Sequence, residues 1–104
     1  MRVPDSVTIV VGAPFAAAGD AVREWLPGAQ QRRRSADLVE FYRPGRIVSA
    51  YSVGESTHVH VWDHEGSDGA AKGLLGFLGA RNLAAVHEDE AAPAGAVDLD
   101  RPMG

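Results

Sequence analysis

The sequence predicts a single domain of the α+β class. Two longer segments carry apolar residues at helical spacing, and short runs rich in β-branched residues, typical of strands, lie before, between and after them. Three of these runs follow one another between the two helices, which favours a mainly antiparallel sheet with both helices on one face. The chain has 104 residues, of which 45% are hydrophobic and 23% charged, values typical of one globular domain.

The first strand is predicted over residues 6–11, which are almost entirely β-branched or apolar, as in a central strand covered on both faces. The first helix is predicted over residues 16–26. Pro27 and Gly28 end it, because proline cannot continue a helix and glycine tolerates the left-handed exit. The apolar positions of this helix recur at helical spacing and are expected to face the core: Ala18, Ala21, Val22, Trp25 and Leu26.

The basic cluster that follows, Arg32-Arg33-Arg34, is interpreted as a solvated loop. Three arginines neutralise only a few phosphates. The net charge of -4 arises entirely after residue 86, since the first 86 residues carry nine basic and nine acidic side chains. Nucleic acid is therefore not expected as a partner.

Three strands are predicted next, over residues 37–43, 46–53 and 57–63, separated by the turns Pro44-Gly45 and Gly54-Glu55-Ser56. Their short connections predict an antiparallel meander. In the third strand Val59 and Val61 alternate with larger polar and aromatic residues, so the valines are expected to face the core. The residues on the opposite side of that strand are His58, His60 and Trp62.

The second helix is predicted from Ser67 or Asp68, either of which can cap its first turn, to about Arg81. One stripe of this helix consists of small residues, and each glycine costs about 1 kcal/mol of helix propensity. We therefore expect the sheet or a partner to approach this stripe closely, at Gly69, Gly73, Gly76 and Ala80. A last strand is predicted over residues 83–86.

Together these elements give the order β-α-β-β-β-α-β, which resembles the ferredoxin-like split β-α-β arrangement with one additional strand. The α+β domain is expected to occupy residues 1–90. Residues 91–104 are rich in Ala, Pro, Gly and Asp, and are predicted to form a disordered acidic tail.

The chain contains no cysteine, and its N-terminus lacks the residue order of a signal peptide. The longest strongly apolar run, residues 73–80, is far shorter than the roughly 20 residues that a membrane span needs. We therefore expect a cytoplasmic protein without a membrane partner.

The most unusual local feature is a group of three of the four histidines: His58, His60 and His64. On a strand, His58 and His60 share one face with their imidazoles roughly 6–7 Å apart, so both can bind one divalent ion. His64 is the predicted third metal ligand, with Glu65 or Glu55 as alternatives. The competing interpretation is that the histidines occupy a half-exposed strand face without binding a metal.

This segment is similar to the first cupin motif in its His58-x-His60 pair and in Glu65. The glycines of that motif are not matched, because Gly54 lies too close to the first histidine and Gly73 falls inside the second predicted helix. The resemblance covers only this short segment and implies no cupin activity.

The sequence lacks a nucleophile elbow and a phosphate-binding loop, so no catalytic residue is assigned. If the strand alternation holds, the sheet face away from the helices carries six residues that we predict to bind a ligand: Glu40, Tyr42, Tyr51, His58, His60 and Trp62. The leading hypothesis is a non-catalytic binding module without a cofactor. It is expected to form a homodimer and to use this face for a protein partner or a small molecule.

Two alternatives stay open. One is a small ferredoxin-like enzyme, such as an oxygenase, cyclase or isomerase, in which His and Tyr side chains act as acid and base on a hydrophobic substrate. The other is a metal-binding protein that uses His58, His60 and His64. A cavity lined by His and Tyr would favour the enzyme, and bound zinc or nickel would favour the metal-binding protein.

Overall fold

The computed structural model describes residues 6–88, in which two helices pack on one face of a six-stranded antiparallel sheet. The α+β class is therefore confirmed. The predicted tail, 91–104, lies outside the described part of the chain, as do residues 1–5 and residues 89 and 90. Neither helix in the described part is long and apolar enough to cross a membrane. The elements are β1 (Val7–Val11), α1 (Phe15–Trp25), β2 (Gln30–Ser35), β3 (Leu38–Arg43), β4 (Arg46–Val53), β5 (Ser56–Asp63), α2 (Ser67–Ala80) and β6 (Ala85–His87).

The strand order across the sheet is β2-β3-β4-β5-β1-β6, and every neighbouring pair is antiparallel. This order differs from that of a ferredoxin fold, so the finer ferredoxin-like prediction is not confirmed. β5 and β6 both pair with β1, and the chain passes from one to the other through α2. β1 therefore lies between two strands that run in the same direction.

β2 is the strand that the sequence did not predict. The arginine cluster lies in this edge strand and not in the predicted solvated loop, and all six residues of the strand are exposed. Backbone pairing with β3 holds β2 in place. The guanidinium carbon of Arg32 lies 5.7 Å from the centre of the Tyr42 ring, and that of Arg33 lies 5.6 Å from the centre of the Phe15 ring. These contacts stabilise the exposed strand because the arginine stems cover aromatic surface.

The hydrophobic core lies between the sheet and the two helices. Alternate residues of the central strands point into it, and both valines predicted to be core residues, Val59 and Val61, are fully buried. β1 is covered on this face only, because Thr8 and Val10 on its other face are half-exposed. The prediction that the first strand is covered on both faces is therefore wrong. The hydrophobic residues without any exposure are Ile9, Val11, Ala18, Val22, Val48, Ala50, Val59, Val61, Ala71, Leu74 and Leu78.

α2 begins at Ser67, but neither Ser67 nor Asp68 caps it as predicted. Gly66 occupies the N-cap position with a φ of 136°, a conformation that favours glycine, and no side chain of residues 6–88 caps the helix. The buried Ser67 hydroxyl instead accepts a hydrogen bond of 2.9 Å from the backbone N–H of Asp63. This bond fastens the end of β5 to the start of α2.

The small-residue stripe of α2 is not packed closely against another element of residues 6–88. A Cβ atom on Gly73 would lie 4.0 Å from the Trp25 ring, and a Cβ atom on Gly76 would meet nothing within 4 Å. Both glycines are exposed. The close approach predicted from the sequence is therefore not found in the described part of the chain.

Candidate functional site

The sheet face opposite the helices, which we call the outer face, carries all six residues predicted to bind a ligand. On β5 these side chains alternate with the buried valines, and the strand pairing brings the equivalent residues of β3 and β4 beside them. Both helices of residues 6–88 pack against the other side of the sheet. The outer face is therefore open to solvent in the described structure. Its predicted members are Glu40, Tyr42, Tyr51, His58, His60 and Trp62.

Antiparallel pairing arranges the outer-face residues in rows that cross the strands. The first row, nearest the β3–β4 turn, contains Gln30, Tyr42, Ile47 and Trp62. The middle row contains Arg32, Glu40, Ser49, His60 and Thr8. The third row contains Leu38, Tyr51, His58, Val10 and Val86.

The centre of the outer face is a contact between Tyr51 and two histidines. The Tyr51 ring centre lies 5.6 Å from that of His58 and 5.8 Å from that of His60, with the His60 ring stacked on it. Tyr51 and His58 are direct cross-strand partners, and His60 is the diagonal neighbour. The Thr8 hydroxyl oxygen lies 3.0 Å from Nδ1 of His60, within hydrogen-bonding distance.

Two members of this central group, His60 and Tyr51, have pKa values shifted toward their neutral forms. The pKa of His60 is lowered from its ordinary value of 6.5, mainly because contact with its neighbours partly desolvates this exposed ring, while Glu88 acts in the opposite direction. Desolvation, and to a lesser extent Glu88, raises the pKa of the Tyr51 hydroxyl. A neutral imidazole and a protonated phenol can each donate and accept a hydrogen bond. The centre of the outer face is therefore suited to close polar and aromatic contacts.

Glu40, at the β2 side of the outer face, is already engaged within the chain. Its Oε1 atom accepts a hydrogen bond of 2.5 Å from the Tyr42 hydroxyl and one of 2.8 Å from Nε of Arg34. These bonds, led by that from Tyr42, lower the pKa of the Glu40 carboxyl. Glu40 is therefore ionised at neutral pH and holds the Tyr42 and Arg34 side chains in place.

The opposite edge of the outer face is acidic. β6 ends one residue before Glu88, and a carboxylate oxygen of Glu88 lies 4.0 Å from Nδ1 of His58. This contact places the Glu88 carboxylate on the outer face, beside the third row. Arg32 and Glu88 therefore lie at opposite edges of the outer face.

The predicted third metal ligand, His64, does not join His58 and His60. It follows β5 in the turn before α2, where its backbone N–H donates a hydrogen bond of 2.8 Å to the Gly45 carbonyl. Among residues 6–88, no group of three His, Cys, Asp or Glu side chains is placed to hold a metal ion. His58 and His60 thus share a face as predicted but lack a third ligand in the described structure.

Three clefts of residues 6–88 lie away from the centre of the outer face. One is formed between the β3–β4 turn and the end of β5, a second between α1 and the β2–β3 pair, and a third beside the start of β1. Tyr51, His58 and His60 line none of these clefts. The central group is thus part of an open surface.

Sequence reasoning missed Arg32, Thr8 and Glu88 as members of this surface. The sequence predicts a loop at Arg32, because no apolar residue alternates with the arginines. The continuous β-branched run of the first strand gives no signal for which side Thr8 faces.

No family model, curated protein or solved structure matches the chain. The geometry of the outer face is therefore the basis for a functional proposal.

Proposed function

We propose that this chain is a small, non-catalytic binding module whose outer face binds a partner. One observation carries the proposal: the helices cover one side of the sheet, and the other side presents Tyr51, His58 and His60 in mutual contact. Apolar side chains extend this surface, since Ile47 is 40%, Val53 43% and Val86 40% exposed. Contiguous exposed surface with aromatic and apolar members typically marks an interaction site.

The partner classes that suit this face are a second copy of the chain, another protein or a small ligand. A phosphate backbone suits it less well, because the basic side chains that residues 6–88 contribute to this face lie at the β2 edge, and Arg34 is already paired with Glu40. The passage from β5 through α2 to β6, with β1 between the two strands, also supports a distant relation to the ferredoxin-like arrangement.

A small enzyme is the second candidate, and the specific observation in its favour is the pairing of His60 with Tyr51 and Thr8. A histidine whose pKa is lowered can accept a proton at neutral pH. Acid–base catalysis on a hydrophobic substrate, however, needs a site that excludes water. The central group lies on an open surface, so the binding module is the better supported function.

The test replaces both central histidines by glutamine, His58→Gln with His60→Gln. We expect the melting temperature to stay within about 5 °C of wild type, equivalent to roughly 1 kcal/mol for a domain of this size. Self-association, measured by light scattering, or uptake of zinc or nickel, measured by calorimetry, is expected to change. Glutamine keeps the hydrogen-bonding capacity but loses the ring that stacks on Tyr51.

The matched control replaces the two other histidines, His64→Gln with His87→Gln, because neither belongs to the outer face. This control should behave as wild type in association and metal uptake. The proposal is contradicted if the outer-face variant melts several degrees lower than wild type while its association and metal uptake are unchanged. The histidines would then have a structural role only.

A further inference from the structure

We infer that the outer face pairs with the outer face of a second copy, around a two-fold axis that runs parallel to the strands between β4 and β5. This inference rests on the proposed binding function and names the partner. In such a dimer β2 of one copy lies across β6 of the other. Sheets packed face to face in this way lie about 10 Å apart with their strands roughly aligned.

The distribution of charge across the sheet selects this arrangement. Arg32 lies at the β2 edge of the outer face, and Glu88 directly follows β6 at the opposite edge. A two-fold axis parallel to the strands reverses the strand order, so the edge that carries Arg32 in each copy lies across the edge that carries Glu88 in the other. An axis perpendicular to the strands would instead place β2 over β2 and bring like charges together, which is unfavourable.

The remaining positions of the middle row also become complementary when the row is reversed. Glu40, an acceptor, faces the hydroxyl of Thr8, and Ser49 faces the neutral imidazole of His60. Each of these pairs joins groups that can form a hydrogen bond. Reversal therefore leaves no like-charged pair in this row.

The other two rows match in the same way. In the first row, Ile47 faces Trp62, which joins two apolar side chains at the axis. In the third row Tyr51 faces His58 and Leu38 faces Val10, so aromatic groups meet at the axis and aliphatic groups beyond it. The order of the strands thus makes this face self-complementary, as a two-fold interface requires.

The charge pairs at the two edges provide a direct test, because they cannot act within one chain. β2 and β6 are the two edge strands of the sheet, separated by five strand spacings, and therefore lie about 24 Å apart. Exposed charges at that separation are screened at physiological ionic strength. Any coupling between Arg32 and Glu88 must then arise between copies.

The experiment uses two charge reversals, Arg32→Glu and Glu88→Arg, in the full chain. Alone, each variant opposes like charges at both symmetric contacts, and we expect the dimer dissociation constant to rise about tenfold or more. In an equimolar mixture the heterodimer regains an opposite charge at both contacts. We expect the dissociation constant of the heterodimer to lie within about threefold of wild type, since both contacts again join an arginine and a glutamate. Light scattering across a concentration series measures the dissociation constants of the two single variants and of their mixture.

Two control variants change the same charges elsewhere. Arg33→Glu changes a residue of the same strand whose guanidinium lies over Phe15, on the helix side of the sheet. Glu65→Arg changes a residue in the turn after β5. Both should dimerise as wild type, and mixing them should change nothing. Thermal melting of each variant establishes that it is folded.

The pairing is overturned if the mixture of Arg32→Glu and Glu88→Arg dimerises no better than either variant alone. It is also overturned if wild type stays monomeric at millimolar concentration. Neither result decides the binding function of the outer face, because a face that does not pair with itself can still bind another protein or a small ligand.

Discussion

Val59→Asp should abolish folding, whereas His60→Asp, at the next position of the same strand, should leave the domain folded. Val59 is fully buried between the sheet and the helices, and His60 is exposed on the outer face. A carboxylate at position 59 would lie in the core without a partner, at a cost of several kcal/mol. A domain of this size has only about 5–15 kcal/mol of stability in total.

Circular dichroism during thermal melting measures this difference. We expect no cooperative transition for Val59→Asp and a transition close to that of wild type for His60→Asp. The opposite result would mean that β5 is shifted by one residue, so that the histidines face the core. The same pair of variants therefore tests which side of the sheet is the outer face.

Phe41→Ala should give the largest loss of stability among truncations of single core residues. Phe41 is 2% exposed and is the largest of the fully buried side chains. Truncation of a buried phenylalanine typically costs about 3–5 kcal/mol, because it leaves a cavity in addition to the lost burial. For a domain of this size we expect the melting temperature to fall by about 12 °C or more.

Phe77→Ala is the matched control for this substitution. Phe77 is only half-buried on α2, and the guanidinium carbon of Arg81 lies 4.3 Å from its ring centre. We expect a loss of less than half that of Phe41→Ala, measured by urea denaturation. Equal losses would show that β3 contributes less to the core than its burial indicates.

Most elements could be predicted from the sequence because each carries its own periodic set of buried residues. The alternation of Val59 and Val61 with the histidines defined β5, and the helical spacing of Ala18, Ala21 and Val22 defined α1. β2 could not be predicted in this way, because none of its residues is buried. Pairing with β3 and arginine contacts to aromatic rings hold it in the sheet, and these depend on the tertiary structure.

The candidate site was predictable only in part, for a related reason. Alternation along β3, β4 and β5 is a local property, so the six predicted residues could be assigned to one face. Which strand lies beside β5 is a property of the whole sheet. The contact between Thr8 and His60 therefore could not be predicted without the strand order. The same holds for the opposite charges of Arg32 and Glu88 at the two edges of the sheet.

The most direct test of the outer face as a pairing surface is the reactivity of a single thiol at its centre. The chain contains no cysteine, so Ser49→Cys provides a unique thiol next to the inferred two-fold axis. Ala17→Cys, exposed on α1, is the control. The rate of reaction with a disulfide reagent is measured as protein concentration rises. We predict that the rate at position 49 falls several-fold while the rate at position 17 stays constant. A rate at position 49 that is independent of concentration would contradict the account.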